Sequence, residues 1–168
     1  MEAIKIVLTV LHICGTVHWT PAHKKAECLV FRSAAEMTRV WVADGGKEER
    51  APVSYDEIGE IRVFTEKEQQ FPSINFEKEM VVAVFGGQKP AGGYSVHIEK
   101  AVHAAGKKTV WVIYSEKAPG TDAAATEAPA FPSHVVAVPK VEGEVKFAKS
   151  DSEEARKVEE ELTAAKPK

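Results

Sequence analysis

The stretch MVVAVFGGQKPAGGYSVHI, residues 80–98, decides the fold, because it holds two apolar runs separated by a glycine-rich loop. Residues 80–85 and 94–98 are rich in β-branched and aromatic side chains, which favour strands over helices. Residues 86–93 contain four glycines and one proline. Such a loop gives up backbone entropy and side-chain burial, so we expect it to require positive φ angles or a close backbone approach. The pattern predicts two strands joined by a presented loop.

Further strands are predicted on both sides of this stretch. Residues 3–11 alternate with a period near two, which predicts a first strand with one buried face. Residues 28–31 form a short apolar run that we interpret as the partner of that first strand. The other predicted strands are residues 109–115, 134–138 and 144–147, with a weaker candidate at 58–64.

Two Ser-x-x-Glu spacings, at residues 33–36 and 150–153, predict helix starts, because this spacing allows a capping box. Apolar residues at helical spacing follow each of them. They are Met37, Val40 and Trp41 in the first helix, and Ala155, Val158 and Leu162 in the second. The second helix is otherwise highly charged, so we expect it to be peripheral.

The predicted fold is mainly β (α+β), an antiparallel β-sheet or sandwich with one early helix and a peripheral C-terminal helix. Residues 1–148 are interpreted as a single β-rich domain, whose clearest part is 71–148. Residues 44–70 are an excursion from the core, and residues 149–168 are a charged C-terminal helix or tail. Residues 118–130 contain two prolines, one glycine and six alanines without periodicity, which predicts a long mobile loop.

Composition excludes several classes of partner. The 168 residues carry a formal net charge of -3 and a pI near 6.1, which argues against nucleic acid as a partner. No apolar run approaches the roughly 20 residues that a membrane-spanning helix needs. Residues 6–13 resemble a short signal-peptide core, but Glu2 and His12 fit that pattern poorly. We therefore favour a cytoplasmic location, with an extracytoplasmic one as the alternative.

The glycine-rich loop lacks the chemistry of a phosphate-binding loop. Gly87 and Gly92 have the required four-residue gap, but Gly93 and Tyr94 stand where Lys and Ser or Thr would be needed. A strand pattern, and not a helix, follows the loop. The plain expectation for two strands joined this way is a hairpin.

Five potential soft metal ligands lie within seventeen residues, and only His18 and His23 have the tight spacing usual in zinc sites. The five are His12, Cys14, His18, His23 and Cys28. We therefore predict no metal or cofactor, and keep a small metal-binding enzyme as an alternative. The two cysteines would form a disulfide worth about 3 kcal/mol in an exported chain, but free thiols are the prediction for a cytoplasmic one. The chain has no Gly-x-Ser-x-Gly elbow, so no catalytic residue is assigned.

Residues 76–96 resemble the C-terminal domain of PrcB-like protease-complex stability proteins, and the most specific element is Pro90-Ala91-Gly92-Gly93-Tyr94. The resemblance continues through the segments 110–112, 118–120 and 130–139. It implies a non-catalytic accessory that helps to assemble or stabilise a subtilisin-like protease complex. Asn75 stands where the family pattern would have an aspartate.

Together these observations predict a protein-binding or assembly module, since loops on a rigid β scaffold are the usual contact elements of such proteins. The expected partner is a protein, with a subtilisin-like protease as the class that the resemblance implies. The candidate binding residues are those of the loop, namely Gln88, Lys89, Pro90, Ala91, Gly92, Gly93 and Tyr94. The alternative function is a chagasin-like peptidase inhibitor, which would insert the loop 86–94 into a protease cleft.

Overall fold

Residues 8–47, 54–55, 61–62, 74–122 and 126–165 are described by the structure, a computed structural model. The strands within them are β1 (Leu8–Leu11), β2 (Gly15–Val17), β3 (Ala26–Phe31), β4 (Ser54–Tyr55), β5 (Ile61–Arg62), β6 (Glu79–Gly86), β7 (Ser95–Ala104), β8 (Thr109–Lys117), β9 (Ser133–Pro139) and β10 (Glu144–Lys149). The helices are α1 (Ala34–Ala43) and α2 (Glu153–Ala165), and a 3-10 turn spans Ala105–Lys107.

Two four-stranded sheets pack face to face as a sandwich. The first sheet has the order β1-β7-β8-β10 and the second the order β2-β9-β6-β3, while β4 and β5 form a separate pair. The strand pairs are antiparallel except for β8 with β10, which are parallel. The exception arises because the chain crosses from β8 to β9 in the other sheet and reverses before β10. The predicted mainly β architecture with an early and a C-terminal helix is confirmed.

Strand β6 lies at the centre of the molecule and is buried on both faces. Met80, Val82 and Val84 join the apolar layer between the two sheets. The alternate residues Val81, Ala83 and Phe85 join a second layer on the other face, against α1. A continuous apolar run is typical of a strand covered on both sides, whereas β7 alternates between buried and exposed positions along its first half.

Helix α1 begins where the sequence predicts. The Ser33 hydroxyl accepts a hydrogen bond from the Glu36 backbone N–H at 3.3 Å, and the Glu36 carboxylate accepts one from the Arg32 N–H at 2.7 Å. Met37 and Trp41 are fully buried against the second sheet. Capping and one apolar stripe thus place this helix.

Helix α2 covers the outer face of the first sheet, but its cap is two residues later than predicted. The Ser152 hydroxyl accepts a hydrogen bond from the Ala155 N–H at 3.2 Å, so Ser152 and not Ser150 caps the helix. Ala155 packs with Ile113 and Ala148 in a third apolar cluster. An ion pair between Lys100 and Glu159 also joins the sheet to the helix.

The pairing predicted for residues 28–31 is wrong. They belong to β3, which pairs with β6, whereas β1 pairs with β7. Strand β2 lies between the predicted strands 3–11 and 28–31, and at three residues it is too short to give a periodic signal. The first predicted strand is confirmed for its described part, residues 8–11; residues 3–7 and most of the candidate strand 58–64 lie outside the described residues.

Candidate functional site

The glycine-rich loop carries the chain from one sheet to the other. Strand β6 is in the second sheet between β9 and β3, and β7 is in the first sheet between β1 and β8. Residues 87–94 therefore form a crossover at one end of the sandwich, and the expectation of a hairpin is wrong. Apolar content alone marks both runs as strands, but it does not specify which strands become neighbours.

Two glycines of this loop have the positive φ angles that were expected. Gly87 has φ +73°, and a Cβ there would lie 2.8 Å from the Ala26 backbone nitrogen. Gly93 has φ +88°, and a Cβ there would lie 2.7 Å from the Pro119 Cβ. Both positions combine a left-handed backbone with a close approach, so only glycine suits them.

Backbone hydrogen bonds join the glycine-rich loop to the segment that precedes β9. Lys89 and Ala130 exchange two bonds, with N···O distances of 2.8 and 3.1 Å, and the Gly92 N–H donates to the Thr126 carbonyl at 3.1 Å. The Gln88 N–H donates to the Lys24 carbonyl at 3.1 Å. The loop is thus held on two sides, which limits its freedom before any partner binds.

A cleft of about 250 Å³ lies between this loop and the ends of β8 and β10. One wall consists of Lys89 and Tyr94 from the loop, and the buried Val96, two residues after Tyr94, also lines the cleft. The opposite wall and rim consist of Glu116, Lys117, Ala118 and Lys149, and Ser95 completes the lining. The cleft is smaller than the roughly 300–1,000 Å³ of typical small-molecule pockets. It suits one or two side chains better than a whole cofactor.

The predicted binding residues divide into two groups. Lys89 and Tyr94 line the cleft. Gln88, Pro90 and Gly93 are exposed, and Ala91 and Gly92 are half-buried. None of the five is among the lining residues. Lys89 and Tyr94 therefore reach the cleft, whereas Gln88, Pro90 and Gly93 face solvent.

The charges of the cleft are mainly positive. The Lys149 ammonium lies 3.4 Å from the Glu116 carboxylate, which pairs these two charges. The Lys89 ammonium stands 5.7 Å from the centre of the Tyr94 ring, a cation–π contact. Within the part of the chain that the structure describes, Lys89 and Lys117 have no carboxylate at ion-pair distance. Two lysines are left to interact with an anionic group.

Tyr114 and Cys28 form a polar contact between the sheets near Glu116. Burial, followed by the contact with Cys28, raises the pKa of Tyr114 to about 12. Burial also raises the pKa of the Cys28 thiol. Both groups are therefore protonated at neutral pH. The pair carries no charge and packs between β3 and β8.

Of the five potential metal ligands, His23 is the one that the fold buries. His23 is buried, with Nδ1 2.7 Å from an oxygen of Asp44 and Nε2 2.9 Å from an oxygen of Glu27. The Trp19 indole N–H donates to the same Asp44 carboxylate at 3.0 Å. The His23 ring stacks on Phe85 with a centroid distance of 3.9 Å. This network fastens the segment between β2 and β3 to the end of α1.

The contacts around His23 also lower one pKa. A hydrogen bond from Lys25, followed by the contact with His23, lowers the pKa of Glu27.

Among the described residues, no group of three or more His, Cys, Asp or Glu is placed to hold a metal ion. Cys14 and Cys28 are free thiols, one exposed and one half-buried.

The pair His97 and His134 joins the two sheets near the start of β7. His97 and His134 stack with a centroid distance of 4.7 Å. His134 Nδ1 accepts a hydrogen bond from the Ile98 N–H at 2.8 Å, beside an irregularity in β7 at Glu99. Burial, and then the charge of His97, lowers the pKa of His134. The neutral ring is the form that accepts this bond.

Sequence reasoning missed the second wall of the cleft. Glu116 and Lys117 end β8, and Lys149 ends β10, so all three are charged residues at strand ends that read as ordinary solvated surface. The available signal was the family-like segment 118–120, which adjoins them. The Asp44–His23–Glu27 network was missed because its three members are far apart in sequence or buried only by the tertiary fold.

Comparison with known proteins bears on the segment that carries the loop. Residues 80–139 match the family described as PrcB C-terminal. The resemblance of this segment to PrcB C-terminal domains is confirmed. The match covers about a third of the 168 residues, and no curated protein or solved structure matches the chain.

The matched segment, residues 80–139, runs from β6 to the end of β9 and includes the whole glycine-rich loop. It contains every lining residue of the cleft except Lys149, which β10 contributes. The cleft is therefore mainly a feature of the matched segment, completed by a strand outside it. None of the helices within the described residues is long and apolar enough to cross a membrane.

Proposed function

We propose that this protein is a non-catalytic protein-binding or assembly module whose partner is a subtilisin-like protease or a subunit of such a protease complex. The observation that carries the proposal is the union of two loops at one end of the sandwich. Lys89 and Ala130 join them by two backbone hydrogen bonds, and the joined loops border a cleft. A surface held in place before binding loses less conformational entropy when a partner docks.

The family match supports the choice of partner. The matched segment is the one that forms the loops, and the resemblance to PrcB-like proteins implies an accessory of a protease complex. The lysine side chains of the cleft also suit binding, since ammonium groups position anionic groups of a partner.

Site-specific photocrosslinking tests the proposal. A photoreactive phenylalanine analogue replaces Gln88, an exposed residue near the start of the loop, in the full chain expressed in its native host. The matched control replaces Glu160, which is exposed on α2. We expect a protease subunit to be cross-linked from position 88 and not from position 160. Equal cross-linking from both positions, or none from position 88, would contradict the proposal.

The chagasin-like inhibitor is the second candidate, because the loop 86–94 lies beside a second loop at the same end of a β-sandwich. An inhibitor would slow a protease at a defined stoichiometry, whereas an assembly module would not. Titration of the purified chain into papain and subtilisin, at micromolar concentrations, separates the two. Stoichiometric loss of peptidase activity would favour the inhibitor.

A further inference from the structure

The cleft beside the glycine-rich loop has a charge opposite to that of the chain as a whole. It holds three lysines and one glutamate, whereas the formal net charge of the protein is -3. The glutamate is paired with Lys149 at 3.4 Å. An anionic group that approaches this end of the molecule therefore meets Lys89 and Lys117, neither of which has a carboxylate partner among the described residues.

The cleft also has an apolar side. The Tyr94 ring, the Ala118 methyl and the largely buried Val96 share the lining with the lysines. An inorganic anion would use the ammonium groups alone and leave this surface wet. A ligand that offers carboxylates next to aliphatic side chains would use both parts.

The loop that forms one wall is held in place without help from a ligand. The Lys89 backbone is hydrogen-bonded to Ala130. Gly93 lies so close to Pro119 that a Cβ at position 93 would clash with the proline ring. The ammonium of Lys89 is further oriented by the Tyr94 ring. A side chain that is positioned in advance contributes more to affinity than one that is ordered on binding.

We infer that this cleft binds an acidic peptide segment of the partner, in which glutamate or aspartate alternates with aliphatic residues. The inference rests on the proposed function, because it names the part of the partner that docks. The carboxylates contact Lys89 and Lys117, and an aliphatic side chain lies against Tyr94 and Val96.

Fluorescence anisotropy with defined peptides tests the inference on the full chain. The probe is a fluorescein-labelled, N-acetylated hexapeptide of alternating glutamate and leucine, and the matched peptide has glutamine in place of glutamate. We expect the glutamate peptide to bind more tightly than the glutamine peptide, and the difference to shrink between 50 and 300 mM salt. Equal affinity of the two peptides, or no binding of either, would overturn the inference.

Matched variants locate the binding. Lys89→Gln with Lys117→Gln removes the two free charges of the cleft, and we expect about a fivefold or greater loss of affinity for the glutamate peptide. Lys107→Gln with Lys157→Gln makes the same change of charge on the opposite end of the β7–β8 pair and on α2, and should change affinity less than twofold. Equal losses in the two double variants would show attraction by overall charge and overturn the site.

A competition arm separates a peptide from a simple anion. Inorganic phosphate is added at constant ionic strength, and we expect it to leave the probe bound. Displacement of the probe by phosphate would show a plain anion site and overturn the peptide inference. These measurements need no protease, so their failure leaves the assembly function to be decided by the photocrosslinking from position 88.

Discussion

Lys89 and Ala130 exchange two backbone hydrogen bonds and thereby join the glycine-rich loop to the segment that leads into β9. The two residues are separated by two full strands of the first sheet, yet their backbones pair as in a short antiparallel bridge. This contact turns two loops into one surface, and the proposed binding function depends on that surface. The conformations of the glycines that bring the loops together are therefore open to direct tests of stability.

Gly93→Ala should destabilise the protein. The φ of +88° disfavours any residue with a Cβ, and that Cβ would lie 2.7 Å from the Pro119 Cβ. We expect a loss of about 1–3 kcal/mol in the free energy of unfolding, measured by urea titration. Gly120→Ala is the matched control, because its added Cβ meets nothing within 4 Å and its φ is not positive. An equal effect of the two substitutions would contradict this account.

Asp44→Ala should be more damaging. It removes the acceptor for both the buried His23 ring and the Trp19 indole N–H, so two buried polar groups lose a partner. The expected loss is about 2–4 kcal/mol in the free energy of unfolding. Asp122→Ala, at an exposed turn, should stay within about 0.5 kcal/mol of the parent. Calorimetry of both variants checks the difference, and a tolerant Asp44 site would show that the network is dispensable.

Stability should fall as the pH decreases from 7.5 to 5.5, in part because of His134. The folded protein lowers the pKa of His134 below its ordinary 6.5, so the unfolded chain binds the proton more readily. The contribution of this group is therefore complete above pH 6.5 and is lost as the pH falls towards the folded-state pKa. The lowered pKa of Glu27 acts in the same direction, but below its ordinary value of 4.5.

Replacing His134 by Gln isolates the effect. The amide oxygen can still accept the Ile98 N–H bond, but the side chain does not titrate. Urea midpoints at pH 7.5 and 5.5 should differ less in this variant than in the parent protein. The same pH dependence in both proteins would refute the assignment to His134.

The two thiols should differ in reactivity. Cys14 is exposed, whereas Cys28 is half-buried and has a pKa raised by burial beside Tyr114. The Cys14 pKa is also raised, by slight burial and by Glu79, so exposure is what separates the two groups. In a timed reaction with an aromatic disulfide reagent at pH 8, we expect one fast thiol. Cys14→Ser should abolish the fast phase, and a fast phase that persists would assign it to Cys28 instead.

Local features made much of the fold predictable. The apolar runs of β6, β8 and β9 and the capping box of α1 are all visible over a few residues, and the structure confirms each of them. The presence of Ala155 and Val158 at helical spacing likewise predicted α2, although the cap was placed two residues early. The glycine-rich loop was predictable for the same reason, because backbone positions with positive φ angles favour glycine.

The pairing of strands that lie far apart in the sequence was harder to predict. Residues 80–85 and 94–98 are equally suited to a hairpin or to strands of different sheets, because β propensity does not identify a neighbour. Strand β3 was paired with the wrong partner for the same reason. The cleft was not predicted either, because its second wall consists of charged residues at the ends of β8 and β10.

The sequence by itself determined that this chain is mainly β and where its main strands and helices lie. It also determined that the loop of residues 86–93 needs glycine at some of its positions. These properties depend on backbone preferences and on apolar periodicity, which act over a few residues. Only the tertiary structure decided that the loop crosses between sheets, that it is bonded to Ala130, and that Lys89 shares a cleft with Lys117 and Lys149. Contacts between residues far apart in the chain follow from how complete apolar faces are buried together, which no short stretch of sequence specifies.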